Sequence, residues 1–122
     1  VKRNGRLVPD DFYHEQNLII TSGDNPVLIC GCAHAGIVNI AYRAKMFVGN
    51  DLKAVIGGFH LYEPTKKRYE GDEYIDSVAT GLTEIKPSYS TCHCTGERAY
   101  EKMKACLGAH LTYLRTGLEL RM

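Results

Sequence analysis

Thr91-Cys92-His93-Cys94-Thr95-Gly96 closes one apolar run and opens a helical one, with a histidine among small residues at the join. The same arrangement recurs at Gly31-Cys32-Ala33-His34-Ala35-Gly36 and at Gly57-Gly58-Phe59-His60-Leu61. In an α/β sheet the loops at strand ends hold ligands and metals, because side chains from several strands converge there. Glycine lets the backbone turn sharply at such places without a Cβ clash. Three histidines at equivalent positions in 122 residues point to one polar centre at one edge of one sheet. His14 and His110 lack the glycine context and read as structural.

Outward from these segments, the apolar runs at 17–21 and 27–30 are separated by Ser22-Gly23-Asp24-Asn25-Pro26, the pattern of a hairpin. Beyond His34 the period changes. Ile37, Ile40, Ala41, Ala44, Phe47 and Val48 recur at helical spacing, and Gly49 stands where a C-cap glycine belongs. Residues 52–56 form a short run rich in β-branched side chains, which predicts a buried strand ending at Gly57-Gly58. The polar stretch 63–72, with Lys66-Lys67-Arg68, reads as a solvated loop. Ile75, Val78, Ala79 and Leu82 predict a helix from Glu73 with Asp72 as its N-cap, weakened near its end by Gly81.

Lys86-Pro87 punctuates the chain, and residues 89–92 read as a strand. Thr95 is placed to cap a helix over 96–107 whose inward face carries Ala99, Met103, Cys106 and Leu107, with Gly108 at its end. Residues 110–120 have the pattern of a strand or hairpin turning at Thr116-Gly117. The whole predicts an α/β chain, a mixed sheet with flanking helices, with 1–122 as a single domain lacking repeats and linkers.

Fifteen basic and fourteen acidic side chains nearly cancel, which removes the electrostatic reason to expect nucleic acid or an anionic membrane as partner. The longest apolar runs fall far short of the roughly 20 residues a bilayer requires. The basic start, Val1-Lys2-Arg3-Asn4-Gly5-Arg6, has no apolar run behind it and is not a signal peptide. A chain opening on Val1 rather than methionine reads as an internal or excised piece. Five cysteines, an odd number without framework spacing, argue for a reducing, cytoplasmic setting. Two Cys-x-Cys pairs, Cys30/Cys32 and Cys92/Cys94, stand in candidate strands, where each pair points to one face and Cys92 and Cys94 face away from His93. Four thiols could converge into a tetrahedral zinc site or pack as small buried side chains. Cys106 reads as packing.

These segments resemble the metallo-β-lactamase superfamily, and within it the branch of the 7,8-dihydropterin-6-yl-methyl-4-(β-D-ribofuranosyl)aminobenzene 5′-phosphate synthase-like proteins. The resemblance runs from Asp10-Asp11-Phe12-Tyr13-His14-Glu15-Gln16 through Gly31-Cys32-Ala33-His34-Ala35-Gly36-Ile37-Val38-Asn39 and Gly57-Gly58-Phe59-His60-Leu61 to His93-Cys94-Thr95-Gly96. It implies the C-terminal half of an αββα sandwich. By this resemblance His34 and His93 are metal ligands, and His60 lies near the position where many relatives carry a bridging aspartate. The hallmark His-x-His-x-Asp-His cluster of the N-terminal half occurs nowhere in this sequence.

The resemblance thus implies a metal-dependent hydrolase completed by an N-terminal half, on a separate chain or a missing segment, and hence an oligomeric assembly. The expected cofactor is a divalent metal, zinc first, with iron, manganese or magnesium as other candidates. The expected substrate is a small molecule, one carrying a phosphate being compatible with an anion site at Thr95 and Gly96, where a helix begins. His60 is expected either as a third ligand or as the group that protonates a leaving group or steadies developing charge. The rival expectation is a non-catalytic binding or assembly module with a degenerate or structural Cys/His metal site.

Overall fold

The computed structural model describes residues 1–121. A small antiparallel pair, β1 (Lys2–Arg3) and β2 (Arg6–Leu7), precedes the main sheet. The sheet is built from β3 (Asn17–Ile20), β4 (Val27–Cys30), β5 (Ala54–Gly57), β8 (Ser88–Thr91) and β9 (Leu111–Tyr113), in the order β3-β4-β5-β8-β9. Between β5 and β8 lie β6 (Tyr62–Glu63) and β7 (Arg68–Tyr69), which pair with each other. The first pairing of the main sheet is the expected antiparallel hairpin, and the other three are parallel.

Each parallel step is made through a helix: α1 (Ile37–Val48), α2 (Asp72–Ile85) and α3 (Glu97–Leu107). Because strand–helix–strand crossovers are right-handed and the order advances in one direction, all three helices fall on the same face of the sheet. That face carries the row Leu28, Val55, Tyr89 and Leu111, each fully buried against the helices. Ile37, Ile40, Ala41 and Ala44 of α1, Ile75, Val78, Ala79, Leu82 and Ile85 of α2, and Ala99, Met103 and Leu107 of α3 complete the core. The Tyr89 hydroxyl donates to the Leu82 carbonyl at 2.7 Å, tying β8 to α2 and satisfying the one polar atom that this ring buries.

Among the described residues the opposite face has no helix. Its register row runs Leu18, Ile29, Ile56, Ser90 and Thr112, and its apolar members stand outside the core. Leu18 is 56% exposed and Ile20, in the next row, 48%. The expected half sandwich is therefore present as a mixed sheet covered on one side.

Several local expectations change in the structure. Gly71, not Asp72, is the N-cap of α2, with Asp72 and Glu73 in the first turn, where their charges favour the helix dipole. Gly81 lies within α2 because a Cβ there would meet Val38 of α1 at 3.0 Å, so its absence lets the two helices approach. The 63–72 loop contains the β6–β7 hairpin, whose Glu63 pairs with Lys66 at 3.0 Å and with Arg68 at 4.0 Å. Cys106 is exposed rather than packed: it sits on the flank of the apolar stripe of α3, beside an open groove lined by Thr83, Lys86 and His110. After β9 the chain turns at Thr116-Gly117, but no second strand follows among the described residues. None of the described helices is long and apolar enough to cross a membrane.

Candidate metal centre

Parallel β4, β5 and β8 end at the same edge, so the loops that follow them, 31–36, 58–61 and 92–96, form one surface. Two glycines let the loops meet. A Cβ on Gly57, which has φ 154°, would lie 2.5 Å from the Cys30 carbonyl oxygen, and one on Gly58 would lie 2.6 Å from the Cys94 sulfur. Three backbone amides then lock the loops: Gly58 N–H donates to the Gly31 carbonyl, Leu61 N–H to the Cys94 carbonyl and Phe59 N–H to the Thr95 hydroxyl, each at 2.9 Å. Each loop also holds one non-glycine residue in the left-handed region: Ala33 (φ 50°), His60 (φ 51°) and His93 (φ 53°). Such a backbone costs on the order of 1 kcal/mol or more per residue, and concentrations of it occur where side chains must be aimed.

Of the three predicted histidines, the structure brings two into contact. The His34 and His60 rings lie 4.1 Å apart, centroid to centroid, and tilted. His34 is exposed, and Phe12 stacks near it at 6.4 Å. His60 is half-buried, and its Nδ1 is buried without a hydrogen-bond partner among the described residues. Burial first, and then the neighbouring His34, holds the His60 pKa below the usual imidazole value, so the ring is neutral at physiological pH. A neutral imidazole with an orphaned nitrogen has the donor chemistry of a metal ligand, so this pair fits the divalent ion that the resemblance implies.

His93 lies in a different company. It is exposed in a single tight turn, 93–95, and its ring shares a cluster with Cys32 and Cys94, all donor atoms lying within 4.8 Å of one another. Among the described residues this is the group of three that could hold an ion, and the trio His34, His60 and His93 does not close to that distance. The expected opposition of Cys94 and His93 fails for a physical reason. β8 ends at Thr91, and the left-handed turn at His93 carries Cys94 onto the same side. The four-thiol convergence also resolves differently, with one member of each pair meeting. Cys30 instead points into the core, where burial pushes its thiol up to about 12. Burial likewise pushes the Cys94 thiol up to about 11.

The Thr95 hydroxyl and the Gly96 amide, expected to receive an anion, both have partners within the chain, the amide donating to the His93 carbonyl at 3.3 Å. Thr95 is fully buried and makes no cap bond, because its hydroxyl bonds the Phe59 amide and the Thr91 hydroxyl. Gly96 is the N-cap of α3 and is itself covered: a Cβ there would lie 2.6 Å from the Tyr69 ring. The Tyr69 hydroxyl accepts the Arg98 N–H, one of the first-turn amides of α3, at 3.4 Å.

Glu15 joins the site only through the fold. Its carboxylate accepts the His34 N–H at 2.6 Å and the Ala35 N–H at 2.9 Å, which fixes the His34 loop from nineteen residues upstream. The signal that could have found it is its place in the acidic 10–16 segment ahead of the first strand of the sheet.

No family model matches the chain. It is 35% identical over 98 residues to the 7,8-dihydropterin-6-methyl-4-(beta-D-ribofuranosyl)-aminobenzene-5'-phosphate synthase of Methanocaldococcus jannaschii, a match covering 79% of this chain and 31% of that protein. It is 29% identical over 101 residues to an uncharacterized protein of the same organism, covering 83% of this chain and 35% of that one. The crystal structure of a metal-dependent hydrolase of the β-lactamase superfamily superposes with a TM-score of 0.82 at 32% identity, covering 99% of this chain and 45% of that one. The chain thus spans about a third of the curated relatives it matches and a little under half of the solved neighbour.

The fold is that of a metallo-β-lactamase-type α/β half. Within that superfamily, the match to the synthase bears out the resemblance to its dihydropterin-ribofuranosyl-aminobenzene phosphate synthase-like branch.

Proposed function

We propose that this chain is the C-terminal part of a metal-dependent hydrolase, and that a second half carrying the His-x-His-x-Asp-His cluster completes its metal centre. The observation that carries this reading is the contact between His34 and His60 at a strand-end edge, with a neutral, partnerless Nδ1 on His60. The helix-free sheet face beside it, where Leu18 and Ile20 stay exposed, supports the same reading, since a second sheet would bury them. The assembly is then oligomeric if the second half is a separate chain.

The ion, zinc by the nitrogen-rich donors, would supply Lewis acidity and water activation. His34 offers an exposed ring on a loop whose His34 and Ala35 amides donate to the Glu15 carboxylate. His60 offers its free Nδ1 either to the ion or, once protonated, to a leaving group. His93, at the same edge, serves as the further ligand of the completed centre. A phosphorylated small molecule is the substrate class we propose, and it rests on the name of the synthase relative. The reducing, cytoplasmic setting rests on the five free cysteines.

The test is reconstitution with an N-terminal metallo-β-lactamase half, followed by assay of phosphoester and carboxyl-ester hydrolysis. Activity that appears only in the mixture, and is lost in His34→Ala, supports the reading. A mixture that forms but hydrolyses nothing, or activity indifferent to His34, contradicts it.

A further inference from the structure

We propose that Cys32, His93 and Cys94 form a three-ligand site for a soft divalent ion, zinc or cadmium, separate from the His34 and His60 pair. The donor atoms already lie within 4.8 Å of one another. A tetrahedral zinc site with two sulfurs and one nitrogen spaces its donors at about 3.6–3.8 Å, so small side-chain rotations close the cluster. The backbone is built for this approach. Gly58 leaves room for the Cys94 sulfur, and that thiol already faces the Cys32 carbonyl at 3.6 Å. The Gly58 to Gly31 and Leu61 to Cys94 backbone bonds hold the contributing loops in register.

Burial grades across the cluster. Cys94 is buried, Cys32 half-buried and His93 exposed, so an ion enters from the His93 side and keeps its fourth position toward solvent. Two thiolates and one neutral imidazole balance the charge of a divalent ion, and binding releases two thiol protons to solvent. Sulfur and imidazole donors select zinc and cadmium over magnesium and manganese, which require oxygen. The site competes with the hydrolase reading for His93 but uses neither His34 nor His60, so substitutions of those two residues tell the failure of one from the failure of the other.

The experiment is titration of the full chain, kept reduced, with cadmium chloride. Binding is read by near-ultraviolet thiolate-to-cadmium absorption and by native mass. The expected result is one cadmium per chain, outcompeted by zinc and not by manganese, and unchanged in His34→Ala and His60→Ala. Cys32→Ser, a half-buried and nearly isosteric change, should abolish the absorption, and His93→Gln should weaken binding by at least about tenfold, with circular dichroism unchanged in both. Each of the following results overturns the proposal: no thiolate absorption in the reduced chain, full binding in Cys32→Ser, or loss of the ion in His34→Ala. Loss in His34→Ala would place the ion on the histidine pair, against this site and in favour of the hydrolase reading. A chain lighter by two hydrogens under reducing conditions, with a Cys32 to Cys94 disulfide in place of an ion, overturns it equally.

Discussion

The two faces of the sheet differ most in what they touch, and over β3, β4 and β5 they differ little in composition. One row, Leu28, Val55, Tyr89 and Leu111, is buried under three helices; the opposite row, Leu18, Ile29, Ile56, Ser90 and Thr112, is apolar over its first three members and polar over its last two, and meets no helix among the described residues. A parallel sheet is ordinarily covered on both faces, and its strands then read as continuous apolar runs. Val27-Leu28-Ile29-Cys30 and Ala54-Val55-Ile56 are such runs, so the strands are patterned for a two-sided environment of which this chain supplies one side. The open face thus bears on function, because whatever covers it also stands beside the His34 and His60 edge.

Substitutions on the two faces should separate them. Tyr89→Ala removes a fully buried ring and its bond to the Leu82 carbonyl, and should cost about 3–5 kcal/mol in urea unfolding. A loss under about 1 kcal/mol would mean that this side is not the core. Gly58→Ala, at the meeting of the loops, drives a methyl toward the Cys94 sulfur and should cost about 1–3 kcal/mol. Glu15→Ala frees the His34 and Ala35 amides and should cost about 1 kcal/mol, with faster hydrogen exchange at those two amides alone. Leu18→Ser on the open face should change the stability of the chain by no more than about 0.5 kcal/mol while weakening its association with an N-terminal half.

The edge adds a pH dependence. The folded His60 resists a proton that the unfolded imidazole accepts near pH ~6.5, so stability is level above that value and falls as the pH drops below it. Urea midpoints at about pH 7.5 and 5.5 should differ, and His60→Gln should reduce the difference; an unchanged difference would remove His60 as its source.

Periodic features were legible in the sequence. The β3–β4 hairpin followed from two apolar runs about Ser22-Gly23-Asp24-Asn25-Pro26, and α1 from its 3.6-residue spacing ending at Gly49, which adopts the left-handed cap conformation with φ 69°. Position along the strands also placed His34 and His60 at one edge. Contacts between distant segments were not legible. Glu15 meets the His34 loop, and Cys32 meets Cys94 across 62 residues, only because the sheet order sets β3, β4, β5 and β8 side by side. Thr95 misled because a threonine before a helical run is the common cap signal, whereas here its hydroxyl is taken up by Phe59 and Thr91.

The central claim is that this chain completes its metal centre with a second half seated on the open face. Native mass spectrometry with elemental analysis, run on the chain alone and with an N-terminal half, tests it most directly. The account predicts a one-to-one complex that holds at least one more ion than the chain alone, with that gain lost in His34→Ala. A complex that fails to form, or forms without gaining an ion, would contradict it.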